Sequence, residues 1–492
     1  MAFNAYIFMV IGIIFAKSIG FLRDIVFASR FGTSPESDLY FTVFSVVTLI
    51  FTGIGVALST VIIKQLNKEK YSNPETQTEY VSFFIKRTAI CLILLCSIMY
   101  IFADNFTALL IPGISGKTFD LALKITYIMI PSTAFVTIAY ILYGVLQNKR
   151  VFFVTAVMSV PYNILVIASL FIPDISIVFI SVVTTIGWFS HILILMPDFY
   201  RKGYRFFKKS SKFSMPIREI CWVFISNMMF QLCLMLDKSM VVSDPGMASC
   251  VNYSSNLFVT VSSVFIVAMS SVTFPSLTKS YEEKDIENVK KTFSNILSVM
   301  WAIFLPFLLV CLLFGENIVS LLYERGEFTA QSTGATSALF VIYSFAILGY
   351  IAEQIFNKVL FLGGKYSFTV FGTIVIVLVK IVSNLVLIPV YGAYSAAICT
   401  ALLMTGYGIF SMLKIKTVIG NYFSKALLSS LLKTIAGAVA AIIIYTGFYL
   451  AFPDILRSKT LFLIPLLICG AVYLVVLFLT GEGKKLFALL KK

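Results

Sequence analysis

The chain has 492 residues, of which 59% are hydrophobic and only 12% charged, and its mean hydropathy is +0.96. A globular domain is about one-quarter charged, so this composition excludes a soluble enzyme, a disordered chain and a fibrous one, and leaves an all-α polytopic membrane protein whose apolar surface is solvated by lipid. The balance of 38 Lys+Arg against 23 Asp+Glu gives a net charge of +15. In a soluble protein that excess would suggest nucleic acid; here its placement along the chain carries the information.

A spanning helix needs about 20 apolar residues. Apolar runs between polar breaks predict about fourteen spans, at 5–29, 38–62, 82–103, 119–146, 151–172, 175–196, 216–242, 251–275, 292–314, 336–362, 366–388, 391–413, 426–451 and 459–480. The N-terminus has neither a charged leader nor a small-residue cleavage site, and reads as a first membrane helix rather than a removable signal. Turn chemistry marks the breaks at Pro112-Gly113, Pro245-Gly246 and Gly363-Gly364.

Odd-numbered loops hold Arg30, Lys117, Arg325, Arg457 and Lys459, whereas even-numbered loops hold the dense run Arg201, Lys202, Arg205, Lys208, Lys209, Lys212 and Arg218. Basic loops stay inside, so both termini are expected to be cytoplasmic. Most of the positive charge is then a topology signal and a contact for anionic lipid headgroups, with no call for nucleic acid. The long basic loop after span six and a second after span twelve suggest two pseudo-symmetric six-helix lobes plus two C-terminal helices: 1–205, 206–420, and 421–492 with the cytoplasmic tail. Leu109-Leu110 with Pro112-Gly113, and Leu321-Leu322 with Arg325-Gly326, precede corresponding long spans in the two halves. An even number of spans per half makes such repeats parallel, enclosing a midplane cavity that works by alternating access.

The eight Cys have no metal spacing, and those in apolar runs, including Cys91, Cys96 and Cys221, are expected to be small buried hydrophobes. The single His191 ends an apolar run and is expected at the interface. No nucleophile–base set or metal cluster is visible, so no enzyme, metal or organic cofactor is predicted.

A charge at the bilayer centre costs roughly 2.5–3.5 kcal/mol, so charges inside spans are the candidate functional residues: Lys17, Arg23 and Asp24 in span one, Asp237 and Lys238 in span seven, Glu353 in span ten, Lys380 in span eleven, and Asp38 at the outer start of span two. Lys124, Lys358, Lys433 and Lys238 are near enough to a surface to snorkel. Arg23 and Asp24 are sequence neighbours and are not expected to face each other on a helix. Each is either satisfied by other helices or exposed to a polar cavity, where a guanidinium could grip phosphate oxygens bidentately. Lys17, about 9 Å deeper at the helical rise, would be a second cationic stop. Asp237 and Lys380 reach similar depth, so a pair between them would remove two isolated charges at once; it would be an internal salt bridge or a protein cation in place of a transported one.

Gly20 to Phe41, GFLRDIVFASRFGTSPESDLYF, resembles the GFxRD…FG…TDAFF signature of the MurJ/MviN family. FPSLTK at Phe274 to Lys279 is similar to that family's LPSLS ending of span eight, LLYERGEFT at Leu321 to Thr329 to its LLFERGxFT loop, and VNY at Val251 to Tyr253 also matches. The resemblance covers essentially the whole chain. It implies a flippase of the multidrug/oligosaccharidyl-lipid/polysaccharide exporter superfamily that carries lipid II, the undecaprenyl-pyrophosphate-linked peptidoglycan precursor, to the outer leaflet. Spans 1, 2, 7 and 8 would line a cationic cavity and spans 13 and 14 a groove for the lipid tail; several members couple to sodium or membrane potential.

Carried over, Arg23, Asp24 and Asp38 match family positions, and with Lys17 and Asn256 make up the expected substrate site. Asp237 matches an acidic residue that can ligate sodium, and Lys380, Asn384 and Thr400 complete an expected ion site or internal ion pair. The chain departs from the family where Phe51 and Asn256 replace basic residues and where Lys380 replaces an asparagine of the sodium site. Lipid II transport by alternating access in the bacterial inner membrane is the expectation, with a monomeric chain and cell-wall synthesis proteins as partners. A flippase for a capsule or O-antigen unit, a cation-coupled drug antiporter and a non-transporting scaffold of a glycan-synthesis complex are the alternatives.

Overall fold

The computed structural model describes residues 2–68, 73–208 and 213–483, without the side chains of residues 2–10, 51, 52, 264, 265, 267–276, 279 and 282. Lys209 and Lys212 of the basic loop therefore lie outside the described residues, as do the side chains of Phe51 and of Phe274, Pro275, Ser276 and Lys279 in the FPSLTK stretch. Among the described residues the chain is helical, without a strand. A backbone in hydrocarbon has no water to bond, and a helix satisfies its peptide groups within the segment.

All fourteen predicted stretches fall on helices. The first half comprises α1 (Ala2–Phe31), α2 (Pro35–Ile50), α3 (Val56–Leu66), α4 (Pro74–Ile101), α5 (Ala103–Leu110), α6 (Lys117–Asn148), α7 (Phe152–Ala156), α8 (Val160–Leu170) and α9 (Ile177–Arg201). Then follow α10 (Ile217–Ser226), α11 (Met229–Val241), α12 (Met247–Glu282), α13 (Ile286–Tyr323), α14 (Ala330–Ser344), α15 (Ile347–Ile351), α16 (Asn357–Leu362), α17 (Tyr366–Tyr391), α18 (Tyr394–Ile419), α19 (Lys425–Ala451), α20 (Pro453–Arg457) and α21 (Leu463–Leu479). Among the described residues nine helices are long and apolar enough to cross a bilayer, or up to eleven if each of two bent pairs is one span.

The bends are where the structure departs from straight spans. Span seven breaks by 60° between α10 and α11. No proline causes it; Asn227 Nδ2 instead donates to Val223 O at 2.7 Å, a side-chain bond that competes with the helical ladder. Span ten breaks by 55° between α14 and α15, and its two parts rejoin α16 through a π-turn at Ala352–Phe356 that holds the buried Glu353. Span two has a π-turn at Phe51–Gly55. Span five is interrupted just before Pro161, whose ring and missing N–H do not suit a helix interior.

The chain divides into two compact units. Unit one holds residues 1–252, 325–328 and 373–396, and α6 is its central helix, packed against α2, α3, α4 and α9, while α1 lies along α8. Unit two holds the remainder, with α13 packed on α14 and α19, and α19 on α21. Its C-terminal helices close on a cluster that includes Ala302, Phe314, Phe462 and Tyr473, and Tyr473 Oη donates to Ala302 O at 2.7 Å. Outside these contacts the helices show long apolar faces, such as Leu378, Val382, Leu385 and Val386 of α17. A soluble monomer rarely leaves so large an apolar surface uncovered; facing lipid, it costs nothing.

Three burial expectations are corrected. Cys91 and Cys221 are exposed and Cys96 half-buried, because their helix faces turn outward. His191 is not interfacial: α9 continues to Arg201, so the ring is buried mid-helix, stacked on Trp188 at 4.8 Å. Lys433 does not simply snorkel; its Nζ lies 3.5 Å from Glu482 Oε1 in unit two.

Candidate functional site

Arg23 and Asp24 sit near the end of α1, and the expectation that they would not meet is overturned. Arg23 Nε and Nη2 both donate to Asp24 Oδ1, at 3.1 and 2.6 Å. The arginine side chain is long enough to curl back along the helix to its neighbour. The guanidinium also lies 5.1 Å over the Tyr162 ring of α8. Tyr162 stacks on Trp188, and Tyr40, whose hydroxyl pairs with Thr184 at 2.8 Å, is an electrostatic neighbour of the same guanidinium. An aromatic wall therefore orients the cation without neutralising it. The side chains of Arg23 and Asp24 remain 17% and 10% exposed, and the pair leaves Nη1 uncommitted to Asp24.

Lys238 is the residue that the sequence reading undervalued. It does not snorkel: it is buried, and its Nζ donates to Asn252 Oδ1 at 2.9 Å. Asp24 and Asp237 are its electrostatic neighbours. Asp24 is thus flanked by two cations, Arg23 and Lys238, from different spans. A signal was present, since the Asp237-Lys238 dipeptide puts two charges into one apolar run, but which of them turned inward was not legible. Lys17 is half-buried on α1, and Asn256 half-buried on α12 in unit two.

Asp38, expected in the substrate site, is buried and held by three donors. Its Oδ2 accepts from Gly246 N at 2.5 Å, and its Oδ1 from Ser249 N at 2.7 Å and Ser249 Oγ at 2.6 Å. The carboxylate is spent on fastening the start of α2 to the turn that opens α12. Two of the motif stretches dock nearby. Glu327 N donates to Ser29 O at 2.9 Å, Gly32 has φ +54° and Gly326 φ +56°, and a Cβ on either would overlap a facing backbone carbonyl, that of Glu327 or Ser29. Only glycine fits both the backbone conformation and the approach.

Three of the four ion-site candidates, Asp237, Lys380 and Asn384, are brought together in unit one. Lys380 Nζ lies 2.5 Å from Asp237 Oδ1, and donates to Asn384 Oδ1 at 2.9 Å and Ala396 O at 2.5 Å. Both charged side chains are fully buried. Thr400 is buried on α18 in unit two. Two cavities are lined by other residues. One of about 430 Å³ in unit two includes Lys290, Lys291, Asn295 and Glu482 in its lining; one of about 390 Å³ in unit one includes Glu75, Lys149, Lys202, Arg205 and Lys208. No group of three or more His, Cys, Asp or Glu able to hold a metal is present among the described residues.

The family model described as "Lipid II flippase MurJ" matches residues 27–464. A probable lipid II flippase MurJ of Thermotoga maritima is 24% identical over 426 residues, covering 85% of this chain and 87% of its own length. One from Buchnera aphidicola subsp. Baizongia pistaciae is 25% identical over 370 residues, covering 72% and 70%. Among solved structures, a lipid II flippase MurJ in an inward closed conformation superposes with a TM-score of 0.77 at 22% identity, covering 96% of this chain and 98% of that one. A transporter of the MOP superfamily from Pyrococcus furiosus gives 0.63 at 15% identity, covering 85% and 96%. The fold is that of these transporters, and the chain, a multi-pass bacterial membrane protein, belongs to the MurJ lipid II flippase family.

Proposed function

We propose that this chain flips lipid II, an undecaprenyl-pyrophosphate-linked glycan, from the cytoplasmic to the outer leaflet of the bacterial inner membrane. It crosses the bilayer fourteen times with both termini cytoplasmic, acts as a monomer, and changes access between a six-helix lobe of residues 1–205 and one of 206–420. The final segment, 421–492, accompanies the lipid tail, and cytoplasmic basic loops hold anionic lipids. Cell-wall synthesis proteins are its partners. No covalent chemistry is involved.

The observation that carries this reading is the guanidinium of Arg23, mostly buried, oriented by Tyr162 and still 17% exposed within an apolar span. A permanently charged, planar donor suits a pyrophosphate that must be bound and then released. Lys17 is a second contact. Asp24 occupies Arg23 when no headgroup is present, with Lys238 an electrostatic neighbour, so the incoming anion exchanges with an internal carboxylate rather than meeting a bare cation. Outward movement of a negative headgroup gains about 2.3 kcal/mol per charge per 100 mV of inside-negative potential, which supplies the drive.

The test has two arms. In a host depleted of its own lipid II flippase, expression of this chain restores growth and Arg23→Ala does not, at equal membrane abundance. In proteoliposomes, the purified chain moves fluorescent lipid II and Arg23→Ala slows it at least about tenfold, the loss expected for a charge-assisted contact. Unimpaired Arg23→Ala in both arms overturns the reading. Asn256, where the resemblance implies an arginine, favours a second reading in which the cargo is another polyprenyl-linked oligosaccharide; failure to rescue, with transport of a capsule or O-antigen unit instead, selects it.

A further inference from the structure

We infer that Lys380 is a resident cation: its ammonium fills a monovalent-cation site in unit one, so that this chain needs no bound sodium ion. The inference deepens the proposed function and rests on it only where transport is concerned.

The shell around Nζ is made wholly of oxygen. It consists of a carboxylate (Asp237 Oδ1), a side-chain amide (Asn384 Oδ1) and a backbone carbonyl (Ala396 O), drawn from α11, α17 and α18. An ammonium has three donors, and here three acceptors meet it. Hard oxygen donors of this kind would equally suit an alkali cation. Asn384 Nδ2 lies 3.5 Å from Asp237 Oδ1, which turns the amide oxygen toward the lysine. Asp237 and Lys380 are 0% exposed and Asn384 is 1% exposed, so the carboxylate has no bulk solvent to neutralise it and must keep a cation.

The sodium ion that the family resemblance implies for several members does not fit these residues as they stand. Nζ already holds the place among the oxygens, and a second positive charge there would face it without a second carboxylate in the shell. The lysine is tethered to α17 and cannot be carried across. The site is therefore permanently loaded and contributes electrostatic closure of three helices rather than ion coupling.

The inference separates wild type from Lys380→Ala in an assay that needs no lipid substrate. The full-length protein is unfolded thermally in choline chloride and in sodium chloride at equal ionic strength. Wild type is expected to show the same midpoint in both and no saturable ²²Na⁺ binding. Lys380→Ala should melt about 5 °C or more lower in choline, because one partner of a buried pair has been removed, and should recover at least about half of that loss, saturably, with sodium or with methylammonium as the stand-in ammonium. The double variant Asp237→Asn/Lys380→Ala should lose that cation response. Saturable sodium binding or stabilisation of wild type overturns the inference. So does a folded Lys380→Ala that ignores sodium, lithium, potassium, ammonium and methylammonium. If Lys380→Ala does not fold in choline, purification in sodium or methylammonium is expected to yield it; failure in all of them, with Asp237→Asn/Lys380→Ala folding normally, reduces the contact to a buried ion pair and overturns the inference. Because none of these readouts involves lipid II, an inactive transporter with the expected cation behaviour would sink the flippase reading and leave this one intact.

Discussion

Arg23 holds the carboxylate of Asp24, its immediate neighbour in the chain, through two donors on one oxygen. Successive residues project about 100° apart around a helix, so the contact depends on the reach of the arginine side chain and on the Tyr162 ring that supports it from α8. The pair is close to neutral in itself. Positive character around it comes from Lys238, buried beside Asn252 with Asp24 as an electrostatic neighbour. On the proposed function, a site built in this way would hold its cations in place between substrates and expose them when an anion displaces the carboxylate.

On the proposed function, Tyr162 would act on the substrate only through Arg23, as a positioning residue. Tyr162→Phe keeps the ring face under the guanidinium and is expected to transport near the wild-type rate. Tyr162→Ala removes a cation–π contact of about 0.5–2 kcal/mol and is expected to weaken lipid II binding by roughly two- to thirtyfold. Measuring apparent affinity and maximal flux separately checks this: a fall in protein yield with affinity intact would mean that the ring is only packing.

Asp38 predicts a stability effect rather than a loss of substrate contact. Asp38→Ala strips the acceptor from Gly246 N, Ser249 N and Ser249 Oγ, and buried donors left unsatisfied cost about 1–3 kcal/mol each. The thermal midpoint should drop clearly, while Asp38→Asn, which retains one side-chain oxygen, should lose less. Equal midpoints for Asp38→Ala and wild type would show that the three bonds are dispensable.

Gly32 faces the Glu327 carbonyl and Gly326 the Ser29 carbonyl, across two motif stretches about three hundred residues apart in the chain. An alanine at either position meets a carbonyl oxygen and an unfavourable φ together, so each single substitution should reduce folded yield severely, by about 2 kcal/mol or more. The double variant should be less than additive because both break one junction. Monodisperse protein from either single variant at wild-type yield would contradict the prediction.

Glu324 carries a pH expectation. Burial pushes its carboxyl up, but hydrogen bonds from Ser320 and Thr333 and the nearby Lys459 ammonium outweigh that and hold it below the ordinary glutamate range; Thr333 Oγ1 donates to Oε2 at 2.9 Å and Lys459 Nζ lies 3.7 Å from Oε1. A carboxyl that is depressed in the folded state contributes stability above its unfolded pKa and loses it as pH falls through the folded one. Thermal midpoints should therefore decline on acidification below the usual glutamate range, and Glu324→Gln should flatten that limb while lowering the midpoint slightly near neutrality. An acid limb of the same steepness in Glu324→Gln would assign the decline to other groups.

Composition alone settled the all-helical membrane class, because hydrocarbon offers the peptide group no partner outside its own helix. The fourteen apolar stretches land on helices for the same reason. The meeting of Asp237 and Lys380 was legible too, since a constant rise per residue converts sequence position into depth and two buried charges at one depth gain by pairing. Packing alone determined the rest. The bends at Asn227 and after Ser344 have no proline to announce them. Asp38 finds its donors some two hundred residues away, and His191 and Lys238 turn inward where an interface was expected. In water, an apolar stripe marks the face of a helix that will be covered; in lipid both faces are apolar, so the pattern that would have said which side chains meet was never written into these spans.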